Sequence, residues 1–164
     1  MKYYYNFIIS LSLALSSPIH AEESSNSVPL RDKGAATYYI DGYISGYGNT
    51  EFMVDTGSGY TTINENTLKI LSSNGNATFL KKLKGILADG TEKIVPIYRL
   101  STLKLGTTCE IHNVEAAIFP GNTRHILGLN TLKKTGSFTF SFNPPTLTLN
   151  TCNQTKFTSH TSDS

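Results

Sequence analysis

The stretch EFMVDTGSGYT places a single acid directly after an apolar run. Asp55 follows the residues FMV and precedes Thr56, Gly57 and Ser58. A carboxylate that closes a buried strand is costly unless it is paired or hydrogen-bonded. The position therefore indicates either an ordinary strand-ending turn or a reactive acid, and the triplet Asp-Thr-Gly alone suits both.

Two other chemistries for the same stretch fail on their context. GSGYT partly matches a glycine-rich phosphate-binding loop, but the third glycine is missing and no helix-length apolar pattern follows at once. A nucleophilic Ser58 would need a GxSxG turn within an α/β sheet, whereas here Thr56 precedes Gly57. Neither phosphate binding nor serine catalysis is supported.

Two further motifs follow Asp55 along the chain. ADGT marks a hairpin tip, because Asp-Gly favours positive φ angles. Later, ILG opens a short helical pattern. The residues of these two motifs are Ala88, Asp89, Gly90, Ile126, Leu127 and Gly128. In this order and spacing, the three motifs resemble the retropepsin-like aspartic proteases, especially the exported single-domain bacterial members, from about residue 36 to residue 149.

The resemblance implies a fold and a set of residue roles. The fold would be an all-β, single-domain acid-protease barrel with a flap hairpin and one or two short helices. Asp55 would be the catalytic acid, Thr56 would reach the partner subunit's loop, and Gly57 would let its N–H approach the carboxylate. Ser58 would hydrogen-bond the outer carboxylate oxygen. The ADGT residues would form the flap tip, and the ILG residues would lie under the active-site loop.

One such triplet per chain decides the implied mechanism. Peptide hydrolysis by this chemistry needs two carboxylates about 3 Å apart that share one proton and activate a water molecule. Since the chain supplies only Asp55, the second carboxylate must come from a second copy in a twofold homodimer. The remaining aspartates are expected in turns or tails: Asp32, Asp41, Asp89 and Asp163.

The pattern of apolar and turn residues predicts one β-rich domain. Residues 36–150 form this domain, residues 22–35 are expected to be a flexible segment, and residues 151–164 a disordered tail. INENTLKIL predicts a short helix with Asn64 as its N-cap. HILGLNTLKKTG predicts a strand that enters a second short helix capped by Gly136, and SFTFSF and TLTLN predict a closing hairpin.

Residues 1–21 are typical of a secretory signal peptide cleaved after Ala21, with a retained anchor as the alternative. The expected location is the bacterial periplasm or the exterior, with no stable membrane anchor after cleavage. The formal net charge of +2 and the absence of a basic cluster argue against nucleic-acid binding. The expected partners are therefore a second copy and a polypeptide substrate.

The two cysteines predict a disulfide in an oxidising compartment, either within one chain or between two chains. Cys109 and Cys152 are the only cysteines. A metal pair of Cys109 with His112 is the alternative, but two ligands make a weak site. No metal and no other cofactor is expected, and His112 and His125 are interpreted as surface or structural residues rather than catalytic bases.

Two hypotheses compete with peptide hydrolysis. The fold could be retained without turnover, as a peptide-binding module of the cell envelope. Alternatively, the chain could be a small secreted ligand-binding barrel in which DTGS is a mere turn, with Asp55 on an exposed loop far from Gly128.

Overall fold

The structure is a computed structural model that describes residues 26–86 and 89–152. The expected signal segment, residues 1–21, and all but the first two residues of the expected tail lie outside the described residues. The elements in chain order are β1 (Asn26–Asp32), β2 (Tyr38–Ile44), β3 (Gly48–Val54), β4 (Thr61–Asn64), α1 (Glu65–Ser73), β5 (Ala77–Ile86), β6 (Glu92–Leu105), β7 (Cys109–Phe119), β8 (Ile126–Leu127), α2 (Leu129–Leu132), a 3₁₀ helix (Lys133–Thr135), β9 (Phe138–Phe142) and β10 (Pro145–Leu149).

Six strands close a barrel in the order β2-β3-β8-β4-β7-β6, and β6 returns to β2. Closure is possible because β2 pairs with β1 through residues 38–40 and with β6 through residues 42–44. The packing is close at Gly42, where β2 begins to pair with β6, since a Cβ there would lie 2.9 Å from the Phe52 ring. The expected all-β barrel with two short helices is confirmed.

The core lies inside this barrel and follows the period of two along each strand. Ile40, Phe52 and Leu127 come from three adjacent strands and are fully buried. Burial of each such side chain contributes about 1.5–3 kcal/mol to folding. Their neighbours along the same strands are only partly buried: Tyr39, Met53 and Ile126. The barrel wall therefore has a second face, which carries the candidate site.

The expectation of a flexible segment over residues 22–35 is wrong for the strand β1. Val28 and Leu30 are 5% and 6% exposed and belong to the main core. The first half of β1 pairs with β10 and the second half with β2. Two buried positions in a short polar segment, with Pro29 between them, give too little alternation to reveal a strand. The domain thus begins before residue 36.

Salt bridges fix the second half of β1 on the barrel. Arg31 binds Asp41 and Glu51, and Lys33 also binds Glu51. The hydrogen bond from Arg31 lowers the pKa of Asp41, and the hydrogen bond from Lys33 lowers that of Glu51. Asp41 lies within strand β2 and not in a turn, which corrects the expectation from the sequence.

The predicted helices and the closing hairpin are confirmed. The Asn64 side chain caps α1 by accepting a hydrogen bond from Thr67 N, and Leu71 on its inner face is fully buried. The 3₁₀ helix ends at Gly136, whose φ of 72° suits glycine. Strands β9 and β10 form the hairpin. Among the helices of the described residues, none has the length and apolarity to cross a membrane.

Cys109 and Cys152 form a disulfide within the chain. This decides between the two pairings left open by the sequence, and it excludes the metal pair of Cys109 with His112. The bond ties the end of the described chain to the beginning of β7, next to the buried core. It closes a loop across 43 residues of sequence.

Candidate active site

The DTG turn begins where β3 ends, and backbone hydrogen bonds hold it against β8. Asp55 N donates to Leu127 O at 3.1 Å, which extends the parallel pairing of β3 with β8 by one residue. Asp55 therefore lies next to the ILG strand. This contact overturns the hypothesis of a mere turn on a loop far from Gly128.

Gly57 donates its backbone N–H to Asp55 Oδ1 at 2.9 Å. A Cβ at Gly57 would lie 3.1 Å from the same oxygen, so the absence of a side chain permits this approach. The expected role of Gly57 matches this geometry. The hydrogen bond fixes the orientation of the carboxylate.

The expectation that Ser58 hydrogen-bonds the Asp55 carboxylate is wrong. Its Oγ donates to Tyr60 O at 2.7 Å, and its backbone N donates to Asp55 O at 3.2 Å. The hydroxyl thus forms a hydrogen bond within the turn and stabilises it. Within the described residues, Asp55 Oδ2 receives no hydrogen bond, so one carboxylate oxygen is left to face outward.

The ILG segment supports the turn from below, as expected. A Cβ at Gly128 would lie 2.3 Å from both the C and the O atom of Tyr60. Gly128 N also donates to Thr61 Oγ1 at 3.2 Å. Leu127 is fully buried, whereas Ile126 is only partly buried. Ile126 therefore lines the outer face of the site instead of filling the core.

The first turn of α2 supplies a second layer of support that the sequence did not reveal. Leu129 N donates to Ser58 O at 2.9 Å, and Asn130 N donates to Gly59 O at 3.2 Å. The Asn130 side chain accepts from Thr61 N at 2.7 Å and donates to Glu115 O at 2.6 Å. In the sequence, the only indication of this role is a polar residue, Asn130, after the apolar ILGL stretch. The partners of Asn130 are distant in sequence, so the pattern does not reveal them.

Thr56 and Gly57 are exposed and Asp55 is half-buried in the single chain. No hydrogen bond of the Thr56 side chain is found within the described part of the chain. The turn therefore presents a carboxylate and a free hydroxyl on an open surface.

Most other carboxylates of the described chain have partners elsewhere. Asp32 accepts from Gly34 N at 2.8 Å, and Glu65 accepts from Gly121 N at 2.9 Å. Glu92 pairs with Lys84. Like the salt bridges of Asp41 and Glu51, these contacts give each of these carboxylates a structural role in its own part of the fold.

The hairpin of β5 and β6 has the form of a flap. Its tip carries Asp89 and Gly90, and Gly90 has a φ of 81°. Thr91 donates to Asp89 Oδ1 from its hydroxyl at 2.7 Å and from its backbone N at 2.9 Å, and these bonds lower the pKa of Asp89. Asp89 is thus a turn former here. Ala88 lies outside the described residues.

His125 is structural, in line with its interpretation from the sequence. It is 6% exposed, and burial lowers its pKa. Its Nδ1 lies 2.9 Å from Thr50 Oγ1, and its Nε2 lies 3.0 Å from Thr67 Oγ1. Its carbonyl accepts from Met53 N at 3.0 Å. The backbone of His125, and its ring through Thr50, therefore hold β3, the strand that positions the DTG turn.

Comparison with known proteins identifies the family. A family model described as "gag-polyprotein putative aspartyl protease" matches residues 40–134, a span that holds the DTG turn, the flap and the ILG segment. The chain belongs to this aspartyl protease family.

The fold agrees with this membership. The crystal structure of a retropepsin-like aspartic protease from Rickettsia conorii superimposes with a TM-score of 0.55 at 16% sequence identity. The match covers 76% of this chain and 90% of that chain. No curated protein gives a significant match. The retropepsin-like fold expected from the three motifs is confirmed.

Proposed function

We propose that this chain is an aspartic endopeptidase that works as a homodimer. The observation that carries the proposal is the DTG turn. Within the part of the chain that the structure describes, the Asp55 side chain is hydrogen-bonded through Oδ1 alone, and Thr56 beside it is exposed. A twofold axis at this surface would bring Asp55 of each subunit together. Membership of the aspartyl protease family supports the same reading.

The dyad would hydrolyse a peptide bond with one shared proton. Two carboxylates at hydrogen-bond distance cannot both ionise, so one is protonated and the other is ionised. The ionised carboxylate accepts a proton from a water molecule, whose oxygen attacks the scissile carbonyl carbon. The protonated carboxylate donates to the carbonyl oxygen. Collapse of the tetrahedral intermediate breaks the C–N bond as the amine leaves with a proton. The pair titrates as a unit.

Three parts of the chain would support this mechanism. Gly57 N–H holds Asp55 in place at Oδ1. Gly128 and Asn130 fix the turn from below through Tyr60, Gly59 and the Thr61 backbone. The flap hairpin would cover a bound polypeptide and exclude water from the reacting bond.

The chemistry is tested with Asp55→Asn, which keeps the shape of the side chain and removes the charge. Purified mature protein is incubated with an unfolded protein between about pH 4 and pH 6, the range set by carboxylate titration. We expect cleavage by the wild type, inhibition by a pepstatin-type inhibitor, and a loss of at least about 10³-fold in Asp55→Asn. Equal inactivity of a dimeric wild type and Asp55→Asn contradicts the proposal.

A peptide-binding module without turnover is the second candidate. It is favoured by one observation, the Ser58 hydroxyl that binds Tyr60 O instead of the carboxylate. In this case, the protein would sediment as a monomer at tens of micromolar and bind peptides equally well with Asp55→Asn.

We further propose export to the periplasm or the exterior. The intrachain disulfide supports an oxidising compartment, and residues 1–21 have the composition of a signal peptide. Sequencing of the mature N-terminus should give Glu22 as its first residue. Recovery of the intact precursor in the cytoplasm alone would contradict export.

A further inference from the structure

A row of side chains crosses four strands beside the DTG turn. Thr62 of β4 pairs with Ile126 of β8, Ile126 pairs with Met53 of β3, and Met53 pairs with Tyr39 of β2. Directly paired residues project from the same face of a sheet, and so do residues two apart on one strand. Asp55 is two residues beyond Met53, so this row lies roughly 7 Å from it along the strand direction.

Arg124 lies across this row. Its Nη1 is 3.4 Å from the Tyr39 hydroxyl oxygen and 3.6 Å from Met53 Sδ. None of the ion pairs among residues 26–86 and 89–152 includes Arg124, although Arg31, the other arginine near these strands, binds two carboxylates. Arg124 is therefore an exposed cation that forms no ion pair within the described residues, and it lies against Met53, two residues before the candidate catalytic acid.

A cleft of about 390 Å³ opens beside this guanidinium. Its lining consists of Thr62, Phe119, Thr123, Arg124 and Ile126. Phe119 also packs against the cluster that includes Val95 at the base of the flap hairpin. The cleft thus adjoins the end of the row formed by Thr62 and Ile126, and it combines apolar walls with one cation and two hydroxyl groups.

We propose that Arg124 selects an acidic side chain, glutamate in preference to aspartate, within about two residues of the bond that the enzyme cuts. The inference rests on the proposed peptidase function. The apolar walls suit the two methylene groups of glutamate, and the guanidinium can bind its carboxylate through paired N–H donors. Aspartate is one methylene shorter and leaves part of the apolar wall uncovered.

The cleft is partly open to solvent, which sets the size of the effect. Exposed ion pairs contribute little, whereas hydrogen bonds to charged groups in a partly desolvated site contribute more, so we expect a preference for Glu over Gln of about fivefold to tenfold in kcat/KM. It should weaken as ionic strength rises. It should also vanish below about pH 4, where the substrate glutamate becomes protonated.

The test compares peptide pairs that differ only by Glu or Gln at one position near the cut, chosen from the cleavage products of a peptide library. Arg124→Gln should reduce the Glu/Gln ratio to about one, and Arg124→Lys should restore part of it. Arg99→Gln removes the same charge from an exposed position on β6 that does not line the cleft, and it should leave the ratio unchanged. A structural role of Arg124 would change both rates equally.

A binding arm separates this inference from the catalytic proposal. Calorimetry on Asp55→Asn with the same uncleaved peptides should show tighter binding of the Glu peptide, and the double variant with Arg124→Gln should lose the difference. Acid-selective binding without cleavage by the wild type would reject the peptidase and keep the specificity. Cleavage or binding with equal Glu and Gln preference, or no peptide binding at all, overturns the role of Arg124.

Discussion

Substitution of Gly128 by alanine tests how the active-site turn is supported. The new Cβ would lie 2.3 Å from the Tyr60 C and O atoms and 2.7 Å from Thr61 N. These are backbone atoms that cannot rotate away, so either the turn or β8 must move. The φ of −95° and ψ of 171° at Gly128 are accessible to alanine, so the cost comes from steric overlap and not from backbone strain.

Overpacking of this kind costs about 1–3 kcal/mol, and backbone neighbours place Gly128→Ala at the upper end. For a domain of this size, about 3 kcal/mol corresponds to a fall in Tm on the order of 10 °C. A shift of the turn by about 1 Å would also reduce kcat by roughly 100-fold, because the two carboxylates would lose their relative geometry.

Gly59→Ala is the matched control, since it lies in the same turn and no atom lies within 4 Å of its added Cβ. Both variants restrict the unfolded chain to the same extent, so their difference isolates the overlap. Thermal unfolding by circular dichroism and peptidase assays measure the two effects. If Gly128→Ala and Gly59→Ala have equal Tm and equal activity, the proposed close packing of the turn on Gly128 is wrong.

Three further predictions concern the residues around the site. Because burial lowers the pKa of His125 below its ordinary value of 6.5, the stability it contributes is complete above pH 6.5 and is lost as the pH falls toward the folded-state value. His125→Gln should therefore reduce the difference in Tm between about pH 7.5 and pH 5, and an unchanged difference refutes this. Reduction of the disulfide should lower the free energy of unfolding in urea by about 4 kcal/mol, as expected for the 43-residue separation, and a loss below about 1 kcal/mol would contradict it. Asn130→Ala removes the bonds to Thr61 N and Glu115 O and should cost about 2 kcal/mol. Asn66→Ala, at an exposed position of α1, serves as the control and should cost much less.

The sequence predicted the features that depend on local chemistry and spacing. The positions of Asp55, Gly57 and the ILG segment could be predicted, because few other residue types would suit them. Helix α1 could be predicted from its capping residue, Asn64. The strand β1 was missed, because Pro29 and the polar flanks conceal two buried positions whose partners lie far along the chain in β10.

The error at Ser58 has a different physical origin from that at β1. The partner of the Ser58 hydroxyl is a backbone carbonyl two residues away, a choice between near neighbours that depends on the shape of the turn. Asn130 and Arg124 make contacts with residues 15 to 85 positions away, which no local sequence pattern indicates.

The most direct measurement of the central proposal is a subunit-mixing experiment. Wild-type protein and Asp55→Asn are combined in equal amounts under exchange conditions at a fixed total concentration, and peptidase activity is measured. If each active site needs Asp55 from both subunits, activity falls to about one quarter of that of the wild type alone. Activity of about one half means that each chain works alone, which contradicts a shared dyad.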